Sequence, residues 1–574
     1  MRITTTVGRR PVRTAVRALA LVAALAAPAK SQVNPVVFDG NIVFSASAGL
    51  YAGAASAGSP CVPGLDSTTV SIATVQFTRN SNLDPLLSGA LVTASPNWRP
   101  AAGSPAFCAN GLHPVLDLPN DGFFRQVDFA GALGATEPDW TAGWTYYGLD
   151  GGGRTFPVRP VVVVDNHNFY SDRTFSADSN YLVRGQLRVK EQASLTIQAG
   201  THIFEETATV GTIIIERGAK IFALGESYAP IVLTSDAAPG SQTPGGIGGI
   251  FVHGRARTNA VNSCAGDSAA SEGGVVGHYG GNDDADDSGV IRYLRSEFAG
   301  VQVGPNNEAN GLTLNAVGSG TEIHHIQSHR SSDDLFELFG GTAQVSHLVL
   351  TYGEDDGFDW QMGYRGKAQF VVIRQITGAA GTERGIEADN NEFNNATELC
   401  SGRSFPTLSN FTILGDKTAG SGVVDGVFLR RGTSAVILNS IIAYWKSNAL
   451  ELNGAETFRN HCADRSFAYG PGVQCSQATA DVGGTGHAAF TAFALPNPVR
   501  NELQIRFTLP VAGRVDVDVF GADGRLVRTL ARGERDAGAH TVTWREAGEL
   551  PAGTYFYRVR TPGRQATGRF VRLR

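Results

Sequence analysis

Between residues 166 and 485 the apolar positions fall in runs of three or four residues, separated by Gly, Asn and Asp. Leu195-Thr196-Ile197, Thr212-Ile213-Ile214-Ile215, Pro230-Ile231-Val232-Leu233, Ile250-Phe251-Val252, Phe411-Thr412-Ile413-Leu414 and Ala435-Val436-Ile437-Leu438 are rich in β-branched residues and show no helical period. They predict short strands. An offset of 22 residues carries Ser332-Asp333-Asp334-Leu335-Phe336-Glu337 onto Glu354-Asp355-Asp356-Gly357-Phe358-Asp359, and His325 onto His347. A strand-rich repeat of this length hides its apolar side only by stacking on its neighbours. The segment is therefore predicted to be a right-handed parallel β-helix, with Phe336 and Phe358 inward in adjacent coils.

The polar half of the repeat is acidic. Alternation along a strand turns Phe336 and Leu338 inward and Asp333 and Glu337 outward; one coil later Asp355 and Asp359 are outward, and Glu387 and Asp389 flank Ala388 in the same way. Stacked carboxylates about 5 Å apart repel by roughly 1 kcal/mol in water and about 3 to 4 kcal/mol at an effective dielectric of 20. The ladder must be solvated or neutralised. Oxygen-rich sites of this kind suit calcium, so Asp333, Glu337, Asp355, Asp359, Glu387 and Asp389 are the candidate metal ligands. The loop Asn282-Asp283-Asp284-Ala285-Asp286-Asp287-Ser288-Gly289 is a second candidate, without EF-hand spacing.

The flanks have other textures. Arg2, Arg9, Arg10, Arg13 and Arg17 precede the apolar run Ala18 to Ala27 and small residues, the pattern of a secretory signal peptide over residues 1–29. Residues 30–165 are rich in Gly, Ala, Ser and Pro and read as an irregular β-rich leader. Its aromatic stretches, Phe123 to Phe129 and Asp139 to Tyr147, read as a cap on one end of the solenoid, with a sugar-stacking platform as the other reading. Residues 486–574 alternate at hairpin spacing, for example at Leu503 to Thr508, Arg514 to Phe520 and Thr554 to Arg560, and predict a small β-sandwich.

Two further resemblances rest on motifs. Leu495-Pro496-Asn497-Pro498, Asp523-Gly524-Arg525, Gly538 to Trp544 and Leu550 to Phe556 resemble the immunoglobulin-like domain of the flagellar hook-capping protein and type IX secretion sorting domains. Thr212 to Ala219, His253-Gly254-Arg255-Ala256, Asp333 to Thr342 and Arg384 to Asn390 resemble secreted bacterial β-helix proteins. The first resemblance implies an export machinery as partner and an extracellular or cell-surface address.

Loss of residues 1–29 removes five arginines and no acids, moving the net charge from −6 to −11, which disfavours nucleic acid and anionic membranes as partners. No later apolar run is long enough for a membrane helix. Six cysteines in an exported chain point to disulfides; Cys61 with Cys108, Cys462 with Cys475 and Cys264 with Cys400 is the simplest of fifteen pairings. The functional expectation is a secreted β-helix protein that binds an extracellular polysaccharide or a cell-surface component through the acidic face, stabilised by calcium. The alternative is a polysaccharide lyase or glycoside hydrolase on that face, drawing on Arg365, Lys367, Arg384, His325 and His347. Fold analogy to such enzymes does not by itself supply an activity.

Overall fold

The computed structural model describes residues 36–39, 41–44, 81–111, 115–260, 269–275, 277–304, 307–376, 384–391, 402–416, 424–454 and most of 491–572. The expected signal peptide and every cysteine except Cys108 lie outside them; Cys108 is disulfide-bonded.

Strands stack in parallel into two long sheets, one of 16 strands and one of 10. A typical coil contributes one long strand and one short one. Long strands Gly289–Glu297, Glu322–His329, Gln344–Thr351, Lys367–Arg374 and Thr407–Leu414 are successive neighbours in the larger sheet. Short strands Leu312–Asn315, Phe336–Phe339, Phe358–Gln361, Ile386–Ala388, Asp425–Leu429 and Asn448–Leu452 follow one another in the smaller. The register matches the 22-residue offset: Phe336 pairs with Phe358 and Leu338 with Trp360, and the two phenyl rings stack at 5.5 Å inside one continuous core. This is a parallel β-helix, as the repeat predicts.

Each long strand bends at a residue with left-handed backbone, and these residues form a column: Tyr293, His325, His347, Phe370, Asn410 and Asn439, with φ between 46° and 60°. Bulky side chains rarely adopt that conformation. Here their rings stack, Tyr293 on His325 at 4.4 Å and His325 on His347 at 4.5 Å, so each coil's bend is supported by the next.

The leader is more than an end cap. Strands β1 (Val36–Asp39) and β2 (Ile42–Phe44) pair with Ala435–Leu438 and Ile441–Ala443 and close the C-terminal end of the larger sheet. From Ser81, which pairs with Ile42, the chain runs back along the outside of the larger sheet and enters the first coil at β3 (Val161–Asp165). The aromatic stretches therefore do not seal an end. Trp140 stands edge-on to His325 and His347, Trp144 to Tyr293 and His325, and Phe129 packs in a second apolar layer with Phe370, Val372 and Leu414.

Side-chain amides hold this strap by its backbone. Gln327 both accepts from Tyr146 N–H at 2.8 Å and donates to its carbonyl at 2.6 Å; Gln369 does the same with Arg125, and Asn439 with Leu116. Each such amide satisfies a donor and an acceptor of irregular backbone that would otherwise be buried unpaired.

Burial, then neighbouring histidines, depress His325 to about 2; burial is also the main cause that brings His347 to about 3. Neutral in the fold, they bind protons in the unfolded chain below its histidine pKa of about 6.5. Stability is then expected to fall as pH drops from about 6.5 toward 3, by on the order of 1 kcal/mol per pH unit for each histidine. His347→Asn removes one proton site while keeping a residue type the column already uses at Asn410. Its acid unfolding midpoint should lie lower than that of the unaltered protein; an unchanged midpoint contradicts this account.

The C-terminal unit is separate in its packing. A three-stranded sheet (Thr491–Leu495, Leu503–Leu509, Gly538–Trp544) and a four-stranded sheet (Leu526–Arg535, Gly513–Gly521, Gly553–Thr561, Arg564–Arg572) are both antiparallel, and Val517, Val519, Trp544, Val559 and Phe570 belong to their own core. This is the predicted β-sandwich.

Candidate functional site: a buried carboxylate cluster

On the smaller sheet the inward residues alternate with an outward column, Thr313, Glu337, Asp359 and Glu387, aligned by the strand register. Two positions before each strand, in the turn, runs a second column of Asn310, Asp334, Asp356 and Arg384. The two converge. Although they face away from the core, Glu337, Asp334 and Asp356 are buried and Asp359 is 9 % exposed. Solvation is therefore removed as the means of relieving the ladder's repulsion.

The columns split into two halves. In the C-terminal half, Arg384 lies 2.9 Å from Glu387, Arg430 contacts both Glu387 and Asp389, and Arg431 lies 2.5 Å from Asp389. Those carboxylates are neutralised by guanidinium groups. In the N-terminal half no ion pair joins Asp334, Glu337, Asp356 or Asp359 to a guanidinium or ammonium among the described residues; the charges of Arg384 and Arg430 act on Asp356 and Asp359 from farther off and do not outweigh burial. Oxygens of Asp334, Asp356 and Asp359 lie within 4.8 Å of one another, and so do those of Asp333, Asp334 and Asp355. The two sets share Asp334.

Local bonding shows why Asp334 and Asp356 turn into the site. Asp334 Oδ1 accepts Asp356 N–H at 3.0 Å, and Asp356 Oδ1 accepts Arg384 N–H at 2.7 Å, so each carboxylate pins the next coil's turn. Glu337 is held by the amides of Asn310 and Gln361, the latter at 3.2 Å. Among the described residues Asn310 Oδ1 and Gln361 Oε1 have no partner, and neither does Asp359 Oδ1. Fully buried Asn310 thus leaves an oxygen, not a donor, unmatched beside the cluster.

Burial dominates the electrostatics. It raises Asp334, Glu337, Asp356 and Asp359 well above the usual carboxylate range, with neighbouring carboxylates adding to it. Asp333 is pushed up to about 8 by burial and then by Asp355. A buried carboxylate either takes a proton or meets a cation.

Of the six sequence-predicted ligands, Asp333, Asp355, Asp359 and Glu337 thus gather in the uncompensated half, and Glu387 and Asp389 sit with arginines. Asp334 and Asp356 were missing from that set although the same 22-residue offset relates them. Alternation carried back from inward Phe336 and Phe358 points them inward as well, but they lie in the preceding turn, where alternation does not hold. In the second predicted site, the 282–289 loop, two of the four carboxylates are in ion pairs: Asp284 with Arg257 and Arg365, Asp287 with Lys220. Against its burial, hydrogen bonds from Arg257 and the charge of Arg365 hold Asp284 at about 2.

The basic groups expected of a lyase are scattered. Arg365 binds Asp284, Lys367 lies 2.7 Å from Asp121 of the strap, and His325 and His347 stand beneath Trp140 on the other sheet. Only Arg384 borders the cluster, and it is paired with Glu387.

The coil architecture agrees with a family model described as a pectate-lyase-like β-helix domain, which matches residues 167–490, more than half of the chain. The chain belongs to this family. The pectate-lyase-like β-helix is followed by a match to a secretion system C-terminal sorting domain over residues 494–572, the β-sandwich described above. A type IX sorting tail makes this a secreted or cell-surface pectate-lyase-like β-helix protein that engages the export machinery. Among the described residues no helix is long and apolar enough to cross a membrane. No curated protein matches the chain.

Proposed function

We propose that this is a cell-surface binding protein that holds acidic extracellular polysaccharide through a divalent cation, with Asp334, Asp356 and Asp359 as the ligand set. The observation that carries the reading is a buried carboxylate cluster in which, among the described residues, Asp359 and Asn310 keep unmatched oxygens and Asp334, Asp356 and Asp359 form no ion pair. Carboxylate and amide oxygens are hard donors in irregular arrangement, which favours calcium over ions that demand nitrogen or sulfur. Bound there, calcium would supply the positive charge that a polyuronate needs and that the surrounding side chains do not offer. Asp333 and Asp355 are only part-buried, so the cluster opens to solvent on their side.

The polysaccharide lyase reading is weaker on this geometry, since its base and its carboxylate-neutralising groups are committed elsewhere. Incubation of the mature protein with polygalacturonate, with calcium or with chelator, separates the two. Binding predicts calcium-dependent retention of intact polymer. Unsaturated products or new reducing ends would replace it with the enzyme, and retention indifferent to chelator would remove the cation from the account.

A further inference from the structure

The two ends of the β-helix are finished differently. At the C-terminal end β1 and β2 supply closing strands, whereas at the N-terminal end β3 is the last strand of the larger sheet and, among the described residues, pairs only with Asn180–Arg184. Val161, Val162 and Val163 are 60 %, 42 % and 47 % exposed, and beside them opens a recess of about 360 Å³ whose lining includes Val164, Phe169, Phe175 and Tyr181. A flat valine strand with a free edge is a template for another strand.

The backbone polarity of that edge is defined. Asn180 N–H donates to Pro160 O at 2.9 Å and Asn166 N–H donates to Arg184 O at 2.7 Å, so even-numbered residues face the neighbouring strand. Odd-numbered Val161, Val163 and Asp165 therefore point their N–H and C=O groups to the open side. Around Val162 the sequence Arg159-Pro160-Val161-Val162-Val163-Val164-Asp165 is self-complementary in an antiparallel sense. Centred on Val162, Val161 meets Val163 of another copy and Arg159 meets Asp165, and these are the positions whose backbone groups are free to exchange hydrogen bonds. Pro160 falls opposite Val164 in a pair that exchanges none, so its missing N–H costs nothing.

We infer that β3 is the interface through which two copies of this chain join end to end, in antiparallel register centred on Val162. The second copy is favoured over an unrelated partner because one strand provides both halves of the match: hydrophobic centre, opposite charges at its two ends, and a two-fold arrangement that uses the same patch twice. Arg159 donates one bond to Gly200 O at 2.8 Å, leaving other guanidinium donors for Asp165 of the second copy. Joining would also close the two recesses against each other and remove the only open edge of β3.

Sedimentation velocity of the mature full-length protein over a dilution series tests this, with a dimer expected. Val163→Pro removes an N–H that faces the open edge and no bond to Asn180–Arg184; the protein should become monomeric with its circular dichroism and melting temperature retained. Asp165→Arg should also give monomer, and adding Arg159→Asp should restore the dimer by exchanging the charges. A monomeric wild type at every concentration, or a Val163→Pro protein that stays dimeric, overturns the assignment. Failure of the polyuronate assay leaves this result untouched, because the carboxylate cluster lies on other coils.

Discussion

Glu297→Ala is expected to cost about 3 to 5 kcal/mol of stability, the range for breaking a buried ion pair on one side. Glu297 is fully buried at the end of its long strand and contacts Arg154 of the strap; Arg295 approaches it at 3.0 Å, out of line for a hydrogen bond. Arg154 also reaches Gln242 and Thr234 and lies over the rings of Tyr146 and Phe156 at 4.4 and 4.8 Å. Removing the carboxylate leaves two guanidinium groups in a site where little water reaches them. The loss should appear as a lower urea midpoint, with proteolysis beginning in the strap near Arg154 before the coils are cut. A loss below about 1 kcal/mol would class the contact with exposed pairs, which contribute that little.

Calcium is expected to raise the melting temperature, and chelator to lower it, with the largest difference near pH 8. A ligand confined to the folded state adds about 2.7 kcal/mol at a hundredfold excess over its dissociation constant. The pH sense follows from the raised carboxylates. Without a cation, the folded cluster keeps protons that the unfolded chain releases above about pH 4, so this contribution falls as pH rises toward the value of about 8 for Asp333. Buried histidines act oppositely but below pH 6.5, and they are common to both arms of the comparison, so the calcium difference isolates the carboxylates. Asp359→Asn should abolish the calcium response and make the chelated protein more stable, since an amide keeps the shape and loses the repulsion. A melting temperature indifferent to calcium at every pH would leave the cluster protonated and not metal-bound.

Much of this architecture was written in local pattern. Phe336 and Phe358 stack because a coil period is a sequence period, and the alternating runs from Leu503 onward became strands because alternation is read within each run, whereas Thr491–Leu495 was not among them. What was not legible depends on distant contacts. Trp140 and Trp144 have the composition of a cap, but their partners His325 and His347 lie almost two hundred residues on, and nothing near the tryptophans announces them. The recurrence of His325 at His347 was visible; that both sit at a left-handed bend was not, because neither is glycine. At the site, the outward carboxylates Glu337 and Asp359 followed from alternation, whereas their burial arises from the convergence of turn and strand columns, which no single coil contains.

The course of the leader has a consequence for assembly of the chain. Asn41 bonds to Ile437 O at 3.0 Å and receives Ser440 N–H at 2.8 Å, contacts 396 and 399 residues apart in sequence. Closing a flexible loop of that length costs about 5 kcal/mol beyond a constant. Coils, by contrast, join neighbours through short connections and can add one at a time. The residues that emerge first are thus fastened last, and the closing contacts form only after the final coils exist to receive them. A truncation of those last coils would leave the leader without its anchor even though its own sequence is intact.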